Sequence, residues 1–274
     1  MITHVLMGYG YCASFLAKKY IGKPTLALSR TPVEGIHHQY CDIGKTIPKL
    51  PDSYILYYFI PPNDDTSMAE VLKKLNPKPQ KIIYIGSSGI YGDNAGAWVD
   101  EYSPCHIENN RQRLRQEAEI QLQAFSDIHH IPTALLRVAG IYGPERIPLL
   151  PAQQQQPLIH PSQAPLINHI WIDDLVNILE LLGTELSYHG VLNIADGNPT
   201  PMGELQKTLA DLLHLPPAPY QDFNSIWEQA TPMKREFMSQ NKKLNNQRLL
   251  QILSKTNVKL HTLHQGLSRI VNNT

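Results

Sequence analysis

With 274 residues, 42% of them hydrophobic and 18% charged, the chain can bury one large core or a main domain with a smaller lobe. Lys and Arg balance Asp and Glu at 24 each, which excludes a global field that would recruit nucleic acid or anionic lipid. The three scattered cysteines, Cys12, Cys41 and Cys105, suit a reducing compartment rather than a disulfide framework, and no apolar run approaches the roughly 18–20 residues of a membrane span. A cytoplasmic protein without a signal peptide is expected, since no basic stretch precedes the first apolar run.

Residues 2–7 predict a short strand, followed by a glycine turn and a helix over about 13–20. Further strands are expected at 25–28, 39–41, 54–60, 82–85 and 133–138, with helices at 66–75 and 111–125 between them. Strands alternating with helices indicate an α/β chain with a Rossmann-like, doubly wound parallel sheet. Pro61-Pro62 stops the strand at 54–60. Residues 144–165, rich in Pro and Gln, read as a long loop; 170–182 reads as a helix with Asp173 or Asp174 as N-cap. A strand at 191–195, a helix at 201–214, a rigid break at 216–219 and two or three short elements complete the chain. The expected division is a cofactor domain at 1–145 and a mixed region at 146–274. In the mixed region, 168–196 return to the sheet and 197–274 form a small C-terminal lobe.

Gly8-Tyr9-Gly10-Tyr11-Cys12-Ala13 fits G-x-G-x-x-A between a strand and a helix. Gly8 permits the tight turn, Gly10 lets backbone approach a pyrophosphate, and Ala13 keeps helix and strand close. Gly8, Gly10, Tyr11 and Cys12 are therefore candidate cofactor contacts. An ordinary glycine-rich βα turn would look the same. At the end of the second strand an NAD site places an acid; this chain has Ser29-Arg30-Thr31, a guanidinium and two hydroxyls suited to a 2′-phosphate. NADP(H) is thus expected over NAD(H), with a solvated surface Arg30 as the alternative.

The segment KIIYIGSSGIYGDNAGAWVDE with its Arg-rich helix, LRVAGIYGP at 136–144, NHIWIDD at 168–174 and VLNIA at 191–195 resemble the extended short-chain dehydrogenases/reductases. That family includes nucleotide-sugar epimerases and dehydratases. The resemblance implies that Ser87 orients a substrate and contacts cofactor, with Ser88 and His169 near the substrate. It places Pro61 and Tyr142 near the cofactor and Asp42 against the adenine, although Asp42 also reads as a turn cap. The family's catalytic Tyr and Lys positions fall on Arg111 and Arg115. A guanidinium stays protonated, so Arg111 is no general acid near neutrality, while Arg115 could still hold a ribose. The pairs Arg113–Glu117 and Arg115–Glu119 would equally serve an exposed helix. The departure is similar to the atypical subgroup that lacks the Tyr–Lys pair.

Tyr91, Tyr142 and His169 stand as replacement proton carriers, or else as packing and hydrogen-bonding residues. No zinc-ligand spacing is present, so no metal is expected. The leading expectation is an NADP(H)-dependent reductase, epimerase or dehydratase acting on a hydroxylated small molecule or nucleotide sugar with a non-standard catalytic site, as a monomer or homodimer. The alternative is a non-catalytic NADP-binding or redox-sensing module. A methyltransferase using the glycine turn for SAM fits the LRVAGIYGP and VLNIA segments poorly.

Overall fold

The computed structural model describes residues 1–185 and 187–272. The chain forms two compact units that interleave along the sequence: residues 1–90, 107–137 and 175–192 in the first, and 91–106, 138–174 and 193–274 in the second.

The first unit carries the main sheet. Its strands are β1 (Thr3–Met7), β2 (Thr25–Ser29), β3 (His37–Tyr40), β4 (Tyr54–Tyr58), β5 (Lys81–Ile85), β6 (Thr133–Val138) and β7 (Gly190–Ile194), in the spatial order β7-β6-β5-β4-β1-β2-β3. The sheet is parallel and Rossmann-like, as the alternation of elements predicted. Sequence order reverses between β1 and β4, so the carboxyl ends of these two strands frame the position where such sheets hold ligands.

The strands form where β-branched and aromatic residues run together. All five residues of β4, Tyr-Ile-Leu-Tyr-Tyr, are buried, as expected for a strand covered on both faces. Helices α1 (Tyr11–Lys19), α2 (Met68–Lys73) and α3 (Asn110–His129) come after β1, β4 and β5, and α4 (Ile172–Thr184) precedes β7. On one face, Val5, Leu56, Tyr58, Ile82 and Tyr84 pack with Met68, Val71 and Leu72 of α2 and Ala118 and Leu122 of α3. Each such aliphatic side chain contributes about 1.5–3 kcal/mol by leaving water. The starts of α2 and α3 are fixed by capping boxes, Ser67 with Glu70 and Asn109 with Gln112.

The connection from β2 to β3 is only residues 30–36 and contains no helix. A parallel crossover normally needs a dozen residues or more. The outer flank of α1 therefore borders an open trough of about 940 Å³, with Lys18, Ile21, Lys23, His37 and Lys49 among its walls.

Several expectations change in the second unit. Residues 144–165 are not one loop: they contain a helical turn at Leu149–Gln153 and a strand at Leu158–Ile159, paired with Tyr220–Gln221. The helix expected from residue 170 starts at Ile172, because His169–Trp171 is a strand paired in parallel with Gly140–Tyr142. An uninterrupted apolar run conceals that junction. Asp173 and Asp174 lie in the helix's first turn rather than at its cap, and buried Asp174 accepts from the backbone N–H of His261 at 2.7 Å. The helix expected from residue 201 is Glu204–Leu212, preceded by a strand at Thr200–Pro201. Among the described residues beyond 219 there are four helices, Phe223–Gln229, Pro232–Met238, Gln247–Leu253 and Leu263–Val271, with short strands at Tyr220–Gln221 and Lys243–Leu244. Asp222, Thr231 and Thr262 cap three of those helices, each a preferred N-cap residue type.

Candidate functional site

The glycine turn stands at the carboxyl end of β1. Gly8 has φ +92°, and a Cβ there would lie 2.6 Å from Ile60 Cγ1, so only glycine fits without displacement. Gly10 is different: a Cβ would meet nothing within 4 Å. The backbone is therefore open to approach at Gly10, which is also the N-cap of α1. No side chain caps that helix and its first turn holds no acid, so an anion is favoured there by the helix dipole. Ala13 is fully buried and holds α1 close to the sheet. Tyr11 and Cys12 open the helix, with Cys12 part-exposed. These residues fit a dinucleotide pyrophosphate.

At the end of β2, Arg30 and Thr31 are exposed. Arg30 makes no hydrogen bond or ion pair among the described residues. Ser29 is engaged: its hydroxyl donates to the Thr31 carbonyl at 2.6 Å and lies 3.1 Å from His38 Nε2. Asp42 follows β3 and caps a turn, accepting from Gly44 N–H at 3.2 Å with Lys45 Nζ at 3.7 Å. Pro61 is exposed just beyond β4.

Beyond β5, Ser87 is half-buried and accepts from the N–H of Gly89 at 3.2 Å, shaping a tight turn into the helical turn Ser88–Tyr91. Ser88 is buried. Arg111 and Arg115 lie one turn apart on α3, Arg111 exposed and Arg115 half-buried. The Arg115 charge acts on the Tyr84 phenol, whose pKa is pushed up by burial and by Glu119 and is partly offset by Arg115. Arg113 pairs with Glu117 at 2.6 Å, as the spacing suggested. Glu119 is claimed by a long-range partner, Arg137, at 2.8 Å. Burial raises the Glu119 pKa and the Arg137 guanidinium opposes it.

A residue the sequence reading passed over ties the Ser87 loop to α3. Gln112, between the two arginines, is fully buried. It donates from Nε2 to the Gly89 carbonyl at 3.0 Å and accepts from the N–H groups of Glu108 and Asn109. The Asn109-x-x-Gln112 spacing is the signal that could have found it.

The candidate proton carriers lie in the second unit. Tyr91 is fully buried and donates its hydroxyl to Asn193 Oδ1 at 2.7 Å, while Asn193 N–H donates to Glu101. That bond gives the Tyr91 hydroxyl a structural partner. Tyr142 is also buried; burial first, and then Asp196 and Asp174, raise its pKa. His169 meets Tyr142 edge to face with ring centroids 6.2 Å apart, and burial lowers its pKa to about 4. A neutral imidazole at physiological pH is no proton donor of the imidazolium kind. Asp196 was not singled out by the sequence; its Oδ2 is buried without a hydrogen-bond partner, and burial lifts its pKa to about 6. Among the described residues, no group of three or more His, Cys, Asp or Glu could hold a metal ion. No described helix is long and apolar enough to cross a membrane.

Residues 64–195 match the NAD dependent epimerase/dehydratase family. The matched segment spans just under half of the chain, which makes the chain similar to that family. A curated relative, the chloroplastic SDR39U1 homolog of the epimerase family from Arabidopsis thaliana, is 28% identical over 153 residues. That match covers 53% of this chain and 43% of the relative, so the chain spans less than half the length of that protein. A functionally unknown conserved protein from Silicibacter pomeroyi superposes with a TM-score of 0.81 at 27% identity, covering 100% of this chain and 99% of the other. Human SDR39U1 isoform 2, solved with NADPH, superposes with a TM-score of 0.77 at 17% identity over 100% of both chains. The epimerase/dehydratase match begins after the glycine turn, so that turn rests on its own geometry.

Proposed function

We propose that this epimerase/dehydratase-like chain binds NADP(H) in preference to NAD(H) and acts on a hydroxylated small molecule, such as a nucleotide sugar, without the Tyr–Lys pair. The observation that carries the cofactor reading is Arg30, exposed beside Thr31 at the end of β2 where an NAD site would present a carboxylate. The pyrophosphate sits over Gly8 and Gly10 at the start of α1. The NADPH bound by the human relative supports the same reading. Ser87, held by Gly89 and by the Gln112 anchor of its loop, orients the substrate hydroxyl or carbonyl.

A second reading, an NADP-responsive binding module without turnover, is favoured by one set of observations. Arg111 and Arg115 are permanent cations, Tyr91 is committed to Asn193, and burial shifts Tyr142 and His169 away from neutral-pH proton exchange. The test is to load the protein with NADP⁺ and add UDP-glucose, UDP-glucuronic acid or dTDP-glucose. A transient rise in reduced-nicotinamide absorbance, or a new product by mass spectrometry, supports the enzyme. Tight NADP(H) binding with neither signal across a broader panel of hydroxylated metabolites supports the module.

A further inference from the structure

We propose that the trough beside α1 is a docking site for an amphipathic helix of a partner protein, one whose apolar stripe is edged by Asp or Glu. The proposal goes beyond the cofactor reading and stands apart from it, since Gly8, Gly10, Ser29 and Arg30 do not line the trough.

The lining comes from three stretches: α1 with the residues after it, the connection into β3, and residues 49–51 ahead of β4. A parallel crossover normally carries a helix that covers the sheet. Residues 30–36 join β2 to β3 without one, and about 940 Å³ stands open along the flank of α1. The nine residues of α1 span about 13 Å, so a helix of about three turns laid beside it matches the length.

The surface of the trough suits such an occupant. Ile21 is 82% exposed, and Ala17, Pro24, Ile36 and Pro51 are half-buried, so apolar area stays in contact with water. An apolar helix face would remove that area from water, which is how a helix is held in a groove. The charged groups of the lining are mostly basic: Lys18, Lys23, Lys49 and His37 stand with one carboxylate, Glu34. Lys23 already meets Glu180 at 3.3 Å. Lys18 is held over the Phe15 ring at 4.6 Å from its centroid, and Lys49 is exposed. Acids beside the apolar stripe complement these lysines and steer the encounter. A second copy of this chain would meet the trough with a different surface, and such a contact propagates unless its rotation closes. A separate partner carries no such constraint.

The test is a display selection of helical peptides of about 14 residues against the full chain, with and without NADPH. Enriched peptides are expected to carry apolar residues at helical spacing with Asp or Glu beside them. One enriched peptide is then titrated by fluorescence anisotropy against the wild-type protein, Ile21→Ser and the Lys18→Glu/Lys49→Glu double variant, with thermal melts to confirm folding. Each variant is expected to weaken binding at least about tenfold, and exchanging the peptide's acids for Lys should bring the double variant back to within about threefold of the original pair. No enrichment, enriched peptides without acids, or an affinity unchanged in either variant overturns the proposal. A dimer in sedimentation equilibrium that Ile21→Ser dissolves assigns the trough to a second copy and also overturns it. A chain that selects acidic helices yet binds no NADPH upholds the proposal and sinks the cofactor reading alone.

Discussion

Gly8 and Gly10 occupy the same turn for different reasons, so alanine at each position should separate stability from binding. At Gly10 the backbone angles are φ −111° and ψ −161°, which alanine adopts freely, and its Cβ would meet no atom within 4 Å. The remaining cost is that of an unfavourable helix N-cap, about 0.5–1 kcal/mol. The new methyl projects into the space through which the pyrophosphate approaches. Losing one or two amide–phosphate contacts at about 1.5–3 kcal/mol each predicts a drop in NADPH affinity of about a hundredfold. At Gly8 the φ of +92° and the 2.6 Å approach to Ile60 Cγ1 act on folding directly. Left-handed backbone costs about 1–2 kcal/mol and repacking Ile60 about as much again, for a total of about 2–4 kcal/mol. For a domain of this size that lowers the melting temperature by about 4–10 °C, against about 2 °C or less for Gly10→Ala. Thermal melts without cofactor and fluorescence titrations with NADPH read the two effects. Wild-type NADPH affinity in Gly10→Ala would refute the glycine turn as the pyrophosphate cradle.

Tyr91→Phe should cost about 1–2 kcal/mol from the lost bond to Asn193 and leave any hydride transfer unchanged; a folded variant with turnover abolished would restore Tyr91 as the proton donor. Asp196 has a folded pKa of about 6 against an ordinary 3.8, so the native state holds its proton longer and stability is lost as pH rises through this interval. Asp196→Asn, which keeps an oxygen for the Asn198 N–H, should therefore stabilise the protein by up to about 3 kcal/mol near pH 8 and lose that advantage near pH 4, measured as urea midpoints. His169 shows the opposite sign. Its folded pKa of about 4 lies below the ordinary 6.5, so its contribution is present above 6.5 and lost as pH falls towards 4, by up to about 3 kcal/mol. His169→Gln should correspondingly flatten the acid limb of the stability profile, and an unchanged limb would contradict the assignment.

The sheet was legible because its central strands are written as apolar runs bounded by glycine and proline, β4 most plainly, whereas the edge strand β3 reads His-His-Gln-Tyr. The strand–helix junction at Trp171–Ile172 was not, because both elements are apolar and the change of period falls inside one run. The glycine turn could be read residue by residue, since its chemistry depends on missing side chains at fixed spacing. The state of Ser29 could not. Its hydroxyl is shaped by His38, a partner brought alongside by strand pairing that no local spacing reveals. Arg115–Glu119 looked like a helix-surface pair at the expected spacing, yet Glu119 is held by Arg137 from β6. The buried carboxylate of Asp196 was equally hidden, because residue type alone favours an exposed position.

On the proposed reading, a nicotinamide dinucleotide binds at the glycine turn with its 2′-phosphate at Arg30. That reading is tested most directly by parallel equilibrium titrations of the full chain with NADPH and NADH, repeated in Arg30→Ala. NADPH is expected to bind at least about tenfold more tightly than NADH, and the Arg30→Ala substitution to remove most of this difference. Equal affinities for the two cofactors, unchanged by the substitution, would contradict it.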